Sequence, residues 1–214
     1  MATNDILEIT TKCNLACYGC SRTNFPPEKT TDLSLEDIKL SCKVFGPTQD
    51  LLIGGDLGDP LMHSKFIEAY NIICKNLIPI DNKSTITIES NSSIRNANFY
   101  KKYLDVCKQN QHWKHIYRFS VDGMENSNHI YRVNAKWKKI QEAMDVMFKQ
   151  NIVSVEWKYI LFNHNLNDLF EVYDIIKKYN ITLQLSDSYK SSFIPESFFP
   201  DIKVQDVEIS QMLL

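Results

Sequence analysis

The stretch Cys13-Asn14-Leu15-Ala16-Cys17-Tyr18-Gly19-Cys20 holds three of the six cysteines of this chain, separated by three and then two residues. Thiolates this close can converge on one metal centre, and iron–sulfur clusters are held by cysteines at such spacings. A cubane cluster has four irons, so three cysteine ligands leave one iron open to a ligand that is not protein. The spacing therefore favours a [4Fe–4S] cluster bound by Cys13, Cys17 and Cys20.

Two other interpretations of this triad stay open from spacing alone. A zinc site usually takes four N or S ligands, often as two CxxC pairs or as CxxC with HxxxH. No second CxxC pair exists, and the five histidines show no such pairing. Disulfides would leave one of the three neighbouring cysteines unpaired, and we identify no secretory signal peptide before them.

Length and composition indicate one α/β domain in a reducing compartment. The chain has 214 residues, of which 43% are hydrophobic and 23% charged, which is ample for a core. No apolar run approaches the ~20 residues that span a bilayer. A net charge of -2 and a pI near 6.2 give no general field for nucleic acid. Six cysteines without a signal peptide predict a cytoplasmic protein.

Strand and helix patterns alternate strictly along the chain. The predicted strands are 5–10, 50–53, 84–90, 115–121, 152–161 and 181–186. The predicted helices are 35–45, after a capping box at Ser34, then about 64–77, 96–109, 136–149 and 166–179. Such alternation implies parallel strands joined by right-handed crossovers. Because six units cannot close an eight-fold barrel, we predict a partial (β/α)6 TIM-like barrel over residues 1–186.

The remaining residues and cysteines have plainer interpretations. Residues 187–214 show no clear period, so we expect a loop with a short terminal helix that closes or extends the barrel. Cys42, Cys74 and Cys107 each fall on the apolar stripe of a predicted helix, where free cysteine behaves as a small hydrophobe. We therefore place these three cysteines in the core.

Four further motifs lie at the carboxyl ends of the second to the fifth predicted strands, and the ligand site of a parallel α/β fold lies at such ends. They are Gly55-Asp56-Leu57-Gly58-Asp59-Pro60-Leu61, Glu89-Ser90-Asn91-Ser92, Phe119-Ser120-Val121-Asp122-Gly123 with His129-Ile130-Tyr131-Arg132, and Trp157-Lys158-Tyr159-Ile160-Leu161-Phe162-Asn163-His164-Asn165. In this order, and with the cysteine triad, they resemble the radical S-adenosylmethionine (radical SAM) superfamily from Ile6 to about Ile181. The resemblance is greatest to the branch whose members often carry SPASM or twitch extensions.

The resemblance implies a [4Fe–4S] cluster on Cys13, Cys17 and Cys20, with the amine and carboxylate of SAM on the open iron. The glycine-rich segment looks like the GGE-type motif of the family, which implies that Gly58 and Asp59 receive the SAM ammonium group. Gly19 departs from the family, many members of which have an aromatic residue at that place.

Three further groups of SAM contacts are implied by the same resemblance. Ser90 and Asn91 match the stretch that meets the ribose or the methionyl group, although Ser92 replaces the usual glycine. Ser120 and Arg132 match the residues that reach the SAM carboxylate, and a guanidinium pairs bidentately with such a group. The fifth strand ends at Leu161 and Phe162, which correspond to the adenine contacts.

The implied activity is reductive cleavage of SAM to methionine and a 5′-deoxyadenosyl radical, which abstracts hydrogen from a substrate. An electron donor such as flavodoxin or ferredoxin is implied as a partner. No cysteine follows Cys107, so we expect a minimal core without auxiliary clusters. An open barrel suits a peptide or protein substrate, with a nucleotide or small metabolite as the alternative. A non-catalytic iron–sulfur or zinc protein is the competing hypothesis, and no catalytic residue is identified.

Overall fold

The fold is built on one parallel sheet. The computed structural model describes residues 4–188 and 192–200. The strands are β1 (Asn4–Leu7), β2 (Pro47–Thr48), β3 (Asp50–Ile53), β4 (Ile78–Pro79), β5 (Thr85–Ser90), β6 (Lys114–Ser120), β7 (Ser154–Leu161) and β8 (Thr182–Asp187). Six of them form the main sheet in the order β1-β3-β5-β6-β7-β8, while β2 and β4 form a separate pair. Every pairing is parallel.

The helices connect consecutive strands of the main sheet. They are α1 (Ser21–Asn24), α2 (Leu35–Phe45), α3 (Phe66–Asn76), α4 (Ala97–Gln109), α5 (Asn128–Tyr131), α6 (Trp137–Met147) and α7 (Leu169–Tyr179). Because each new strand joins the sheet beside the previous one, the right-handed crossovers bring the long helices to one face. The predicted partial (β/α)6 barrel is confirmed, with β1 and β8 as its outer strands.

The long elements lie where the sequence predicts them, and their ends differ for local reasons. Helix α2 begins after Ser34, whose hydroxyl accepts a hydrogen bond from the Asp37 amide at 3.1 Å. Strand β1 ends at Leu7 rather than Thr10, because the Ile9 carbonyl accepts from the Leu33 amide at 2.9 Å and Thr10 forms an antiparallel bridge with Asp32. A 3-10 turn at Asn163–Asp168 replaces the first residues of the predicted last helix. Sequence periodicity did not predict α1, α5 or the β2–β4 pair.

The main sheet has an apolar face covered by the helices and a more polar concave face. In β6 and β7 the residues Tyr117, Phe119, Trp157, Tyr159 and Leu161 are almost fully buried in the core. Arg118, Ser120, Glu156 and Lys158 alternate with them, and successive side chains of a strand point to opposite faces. The concave face is therefore the one on which a polar site can form.

The predicted core cysteines are confirmed. Cys42 is 2% exposed, and Cys74 and Cys107 are 0% exposed. Burial raises the pKa of each thiol, to about 11 for Cys42, because the anion would lose its hydration.

The C-terminal region is described only in part. Residues 192–200 include a 3-10 turn at Glu196–Phe198 that packs near the cysteine stretch. The predicted terminal helix lies outside the described residues. Within the described part of the chain, no helix is long and apolar enough to cross a membrane.

Substitution Trp157→Ala tests the core. The indole is 0% exposed, and its Nε1 donates to the Val121 carbonyl at 2.8 Å. We expect a loss of about 3–5 kcal/mol in the free energy of unfolding, measured by chemical denaturation. Phe170→Ala is the control, because Phe170 is 65% exposed and its loss should change stability by less than ~0.5 kcal/mol. Equal effects of the two substitutions would contradict the position of Trp157 in the core.

Candidate SAM and iron–sulfur site

A cavity of about 270 Å³ lies at the carboxyl ends of the strands. It collects most of the side chains that the sequence singles out. The predicted site residues that line it are Cys13, Cys17, Cys20, Gly58, Asp59, Ser90, Asn91, Ser120 and Arg132. These residues come from loops and strand ends far apart in sequence, and the parallel sheet brings them to one place.

The loop that carries the cysteines is tied down by its neighbours at several points. The Asp59 amide donates to the Lys12 carbonyl at 2.8 Å, and the Ala16 amide donates to the Val133 carbonyl at 3.1 Å. The guanidinium of Arg22 donates to the Leu15 carbonyl at 2.8 Å. These bonds hold the loop from both sides, so the orientation of the thiols does not depend on the loop alone.

Gly58 lets two chain segments approach more closely than any other residue would allow. A Cβ atom at this position would lie 2.0 Å from the carbonyl oxygen of Thr10 and 3.0 Å from that of Lys12. These are backbone atoms of the segment that enters the cysteine loop, so they cannot move away as a flexible side chain can. The absence of a side chain at Gly58 is therefore what seats the cysteine loop on the strand ends.

The three thiols of the triad are free and differ in burial. Cys17 is 7% exposed, while Cys13 and Cys20 are partly exposed. Burial raises the pKa of the Cys13 thiol to about 11, and the negative charge of Asp59 adds to this effect. Burial also raises the pKa of Cys17, and the positive charge of Arg132 opposes the increase. These thiols need a cationic centre to become thiolates, which is what iron provides.

Asp59 is fully engaged with its own chain. Its carboxylate accepts hydrogen bonds from the Leu61 amide at 2.9 Å, from the Asn91 amide at 2.8 Å and from the Ser90 hydroxyl at 3.0 Å. Burial raises the pKa of this carboxyl, and the hydrogen bonds counteract the increase. Asp59 thus fixes the ends of two strands relative to each other and brings negative charge close to Cys13.

Asn91 links the end of β5 to the cysteine loop. Its Nδ2 donates to Asn14 Oδ1 at 3.2 Å and lies 3.8 Å from Cys13 Sγ. Ser92, which follows it, has a φ of 58° in the left-handed region that favours glycine. Its hydroxyl bonds to the Tyr117 hydroxyl at 2.9 Å. This conformation explains in physical terms why a glycine would suit the position that Ser92 occupies.

A charged network extends across the concave face beside the cavity. Arg118 forms two ion pairs, one with Glu89 at 3.1 Å and one with Glu156 at 2.7 Å. Lys158 bonds to the same Glu89 at 2.8 Å, and the Ser120 hydroxyl donates to Glu89 at 3.3 Å. Ser120, Glu89 and Lys158 all line the cavity. Ser120, the predicted contact for the carboxylate of SAM, therefore has the anionic Glu89 and the cationic Lys158 as neighbours.

Arg132, which also lines the cavity, forms a buried ion pair with Asp122. Its Nε donates to Asp122 Oδ2 at 2.6 Å, with 15% of the Arg132 side chain and 0% of the Asp122 side chain exposed. The other carboxylate oxygen of Asp122 accepts the Ile160 amide at 2.7 Å. Burial lowers the pKa of Arg132, but the negative charge of Asp122 outweighs it and raises that pKa above its ordinary value.

Leu161 and Phe162 do not line this cavity. Leu161 faces the core, and Phe162 packs on Tyr131 with ring centroids 4.4 Å apart. Ile160 and Tyr131 line the cavity in their place. Strand parity could have indicated this for Leu161, because Ser120 is in register with Lys158, and Ile160 rather than Leu161 shares that face. Parity does not explain Phe162, which is held by its packing on Tyr131.

The cavity lining also includes charged and aromatic residues to which the motifs assigned no role, among them Arg22, Glu89, Tyr131 and Lys158. Glu89 and Lys158 alternate with core residues and could have been found by the same parity. Arg22 carried no signal, because its role depends on carbonyl groups that only the folded loop presents to it.

The described part of the C-terminal segment covers the cysteine stretch. Ile194 is 4% exposed and packs with Leu15 and Cys17. The Phe198 ring packs edge to face with the rings of Tyr18 and His164. The distances between ring centroids are 5.4 Å and 4.9 Å. Asn163 donates to the carbonyl groups of Ser197 and Phe199, both at 3.0 Å. These contacts place an apolar cover beside the triad.

Within residues 4–188 and 192–200, no group of three His, Cys, Asp or Glu side chains is arranged to hold a single metal ion. A [4Fe–4S] cluster is a different case, because each of its cysteines binds a different iron.

The sequence model of the radical SAM superfamily matches residues 7–176. The chain belongs to the radical SAM superfamily. Members of this superfamily use a [4Fe–4S] cluster and SAM, in agreement with the cofactors that the sequence predicts. No curated protein matches this radical SAM chain.

Solved structures share the fold at low sequence identity. SuiB from Streptococcus suis bound to S-adenosylmethionine has a TM-score of 0.71 and 11% identity, covering 100% of this chain and 46% of that one. Methylornithine synthase (PylB) has a TM-score of 0.62 and 16% identity, covering 94% and 58%. Native anSMEcpe with bound AdoMet and Kp18Cys peptide has a TM-score of 0.58 and 16% identity, covering 87% and 51%. The radical SAM chain thus spans about half the length of these proteins.

The residues present fit a cluster with SAM. Three free cysteines from one loop face a cavity whose other wall carries hydroxyl, amide and cationic side chains. Thiolates suit iron, and the polar wall suits the amine and carboxylate of an amino acid.

Substitution Gly58→Ala tests the close approach at the cysteine loop. The added Cβ would overlap the Thr10 carbonyl, so the loop must move. We expect at least a tenfold lower iron and sulfide content after anaerobic reconstitution. Gly46→Ala is the control, because nothing lies within 4 Å of a Cβ at Gly46 although its φ is +68°. It should lower stability by about 1–3 kcal/mol, because alanine rarely adopts this φ, and leave cluster content unchanged. Full cluster loading in Gly58→Ala would refute this role.

Proposed function

We propose that this chain is a radical SAM enzyme acting on a peptide or protein substrate. The observation that carries the proposal is the single cavity in which the cysteine triad meets polar side chains at the ends of the parallel strands. When bound, the cluster and SAM supply a 5′-deoxyadenosyl radical that abstracts hydrogen from the substrate. The chain itself binds and orients SAM and keeps water from the reacting atoms.

The carboxylate of SAM is assigned to Ser120 and Arg132. Arg132 has five N–H donors, and Asp122 uses Nε, so the terminal nitrogens remain for another acceptor. Lys158 pairs in register with Ser120 and adds a further cation to the cavity, which Glu89 partly neutralises. Ser90 and Asn91 are assigned to the ribose or methionyl group.

The ammonium group of SAM is assigned to the turn at Gly58 and Asp59. Because the Asp59 carboxylate already accepts bonds from Leu61, Ser90 and Asn91, we assign the direct contact to the Gly58 carbonyl. The buried carboxylate of Asp59 then supplies negative charge behind the contact.

Adenine is assigned to the end of β7. Ile160 and Tyr131 offer apolar side chains to the cavity. Leu161 and Phe162 are 0% and 1% exposed as whole residues, so we assign them to the support behind Ile160 and Tyr131 at this contact.

A peptide or protein substrate is supported by the concave face. Glu89, Arg118, Glu156 and Lys158 form a partly buried polar surface that continues the SAM cavity. Such a surface offers hydrogen bonds to amide groups and charged side chains, and the outer strands leave one side of the barrel open. One neighbour in fold was solved with a bound peptide. Stimulation of 5′-deoxyadenosine formation by nucleotides but not by peptides would favour the alternative substrate class.

The same proposal assigns residues 1–186 to a radical SAM core and residues 187–214 to a segment that closes it. Its partners are SAM and a low-potential electron donor such as flavodoxin or ferredoxin. Six free cysteines support a reducing compartment such as the cytoplasm.

Substitution Cys17→Ser tests the enzyme against the non-catalytic alternatives. A hydroxyl is a poor ligand for iron, so the variant should lose the [4Fe–4S] spectrum and at least a hundredfold of the 5′-deoxyadenosine formed from SAM with dithionite. Cys42→Ser is the control, because Cys42 lies on the buried face of α2. This variant should retain the [4Fe–4S] spectrum and the formation of 5′-deoxyadenosine. A wild-type cluster that forms no 5′-deoxyadenosine would support a non-catalytic iron–sulfur protein, and zinc in place of iron would support a zinc site.

Substitution Phe198→Ala tests the C-terminal cover. Removing the ring deletes the contacts with Tyr18, Phe162 and His164, so oxygen and water should reach the cluster more easily. We expect the cluster absorbance to bleach several times faster in air. Phe193→Ala is the control, since Phe193 is 45% exposed and its ring meets the exposed Phe25. Equal bleaching rates in both variants would refute the covering role.

A further inference from the structure

The pair Asp122–Arg132 lies beside the cysteine whose ligand role is proposed above. Cys17 is buried in a small apolar cluster with Tyr131, the residue before Arg132. The bond from the Ala16 amide to the Val133 carbonyl, at 3.1 Å, fixes the two segments next to each other. Cys17 and Arg132 also line the same cavity. The backbone thus holds Arg132 and Cys17 on adjacent segments at the same cavity.

Asp122 gives Arg132 its orientation. It takes the Nε hydrogen at 2.6 Å and the Ile160 amide at 2.7 Å, and its own amide donates to Asn128 at 2.9 Å. The Asp122 carbonyl accepts from Asn165 at 3.0 Å. The bonds to Asn128 and Asn165 fix the Asp122 backbone. The Ile160 amide holds Oδ1, the carboxylate oxygen opposite the one that Arg132 bonds. The terminal nitrogens of Arg132 are therefore directed by a fixed anchor.

The two charges of the pair act in opposite senses on negative charge in the cavity. Arg132 lines the cavity together with the cysteine triad, and Asp122 lies against Arg132 with 0% of its side chain exposed. Because neither charge is fully solvated, each acts on a cluster held in the same cavity.

We infer that Arg132, oriented by Asp122, sets the reduction potential of the cluster through Cys17, in addition to any contact with SAM. This inference rests on the proposed function, because it requires a cluster on Cys17. Reduction adds an electron to the cluster, and a cation or a donor to a ligand sulfur stabilises the added charge. Arg132 is then a positioning and electrostatic residue for the cluster, and Asp122 limits its effect.

The inference predicts shifts of opposite sign for the two partners. Arg132→Gln removes the cation and should make the midpoint potential more negative. Asp122→Asn removes the buried anion but keeps an oxygen for Nε, so the unneutralised cation should make the potential less negative. We expect a change of about tenfold in the redox equilibrium in each direction, which is about 59 mV for a one-electron couple.

The measurement is an anaerobic redox titration followed by EPR on the reconstituted full chain without SAM, so that no SAM contact contributes. The exposed pair Lys149–Asp145, with a distance of 2.9 Å, supplies the controls Lys149→Gln and Asp145→Asn. Both should keep the wild-type potential, because their charges are screened by solvent. A structural defect alone would not produce opposite signs in the two partners of one pair.

Unchanged potentials, or shifts of one sign in both variants, would overturn the inference while leaving the proposed function intact. Failure of the wild-type chain to bind a [4Fe–4S] cluster would overturn the proposed function and the inference with it. Arg132→Lys serves if the other variants do not hold a cluster. It keeps the charge but not the planar donor group, so it should shift the potential in the same direction as Gln and by less. No shift in Arg132→Lys would count against the inference.

Discussion

The close approach of Gly58 to the carbonyl groups of Thr10 and Lys12 is the constraint on which the site depends. It brings the turn after β3 against the segment that enters the cysteine loop, and the bond from the Asp59 amide to Lys12 fixes this contact. Asp59 then ties the end of β5 to the same place through Ser90 and Asn91. One missing side chain thus allows three segments of the chain to meet around the thiols.

Charge is distributed unevenly around the cavity that these contacts create. Asp59 and Asp122 are buried, and each is held by hydrogen bonds from neighbouring segments. Arg22, Arg132 and Lys158 provide the cations, and the last two are each paired with a carboxylate. Removal of either partner would leave a poorly solvated charge near the cysteines. The architecture therefore couples the stability of the site to the electrostatics that a cluster and SAM would experience.

Periodicity and spacing were sufficient for the fold and for the loop motifs. Strict alternation of strand and helix patterns implied a parallel sheet, and the cysteine spacing together with the strand-end motifs indicated the superfamily. The start of α2 at the Ser34 cap and the burial of Cys42 on its apolar stripe were also predicted correctly, because both depend on neighbours close in sequence. Short elements such as α1, α5 and the β2–β4 pair were missed, because their stability comes from contacts and not from their own pattern.

The sequence by itself determined which residues stand at the strand ends, since parallel connectivity sends every such loop to one edge of the sheet. Only the tertiary structure decided what each residue does there. It buried the Asp59 carboxylate under hydrogen bonds, paired Arg132 with Asp122, and turned Leu161 and Phe162 away from the cavity in favour of Ile160. The physical reason is that a side chain's role depends on partners distant in sequence, which spacing and periodicity do not specify.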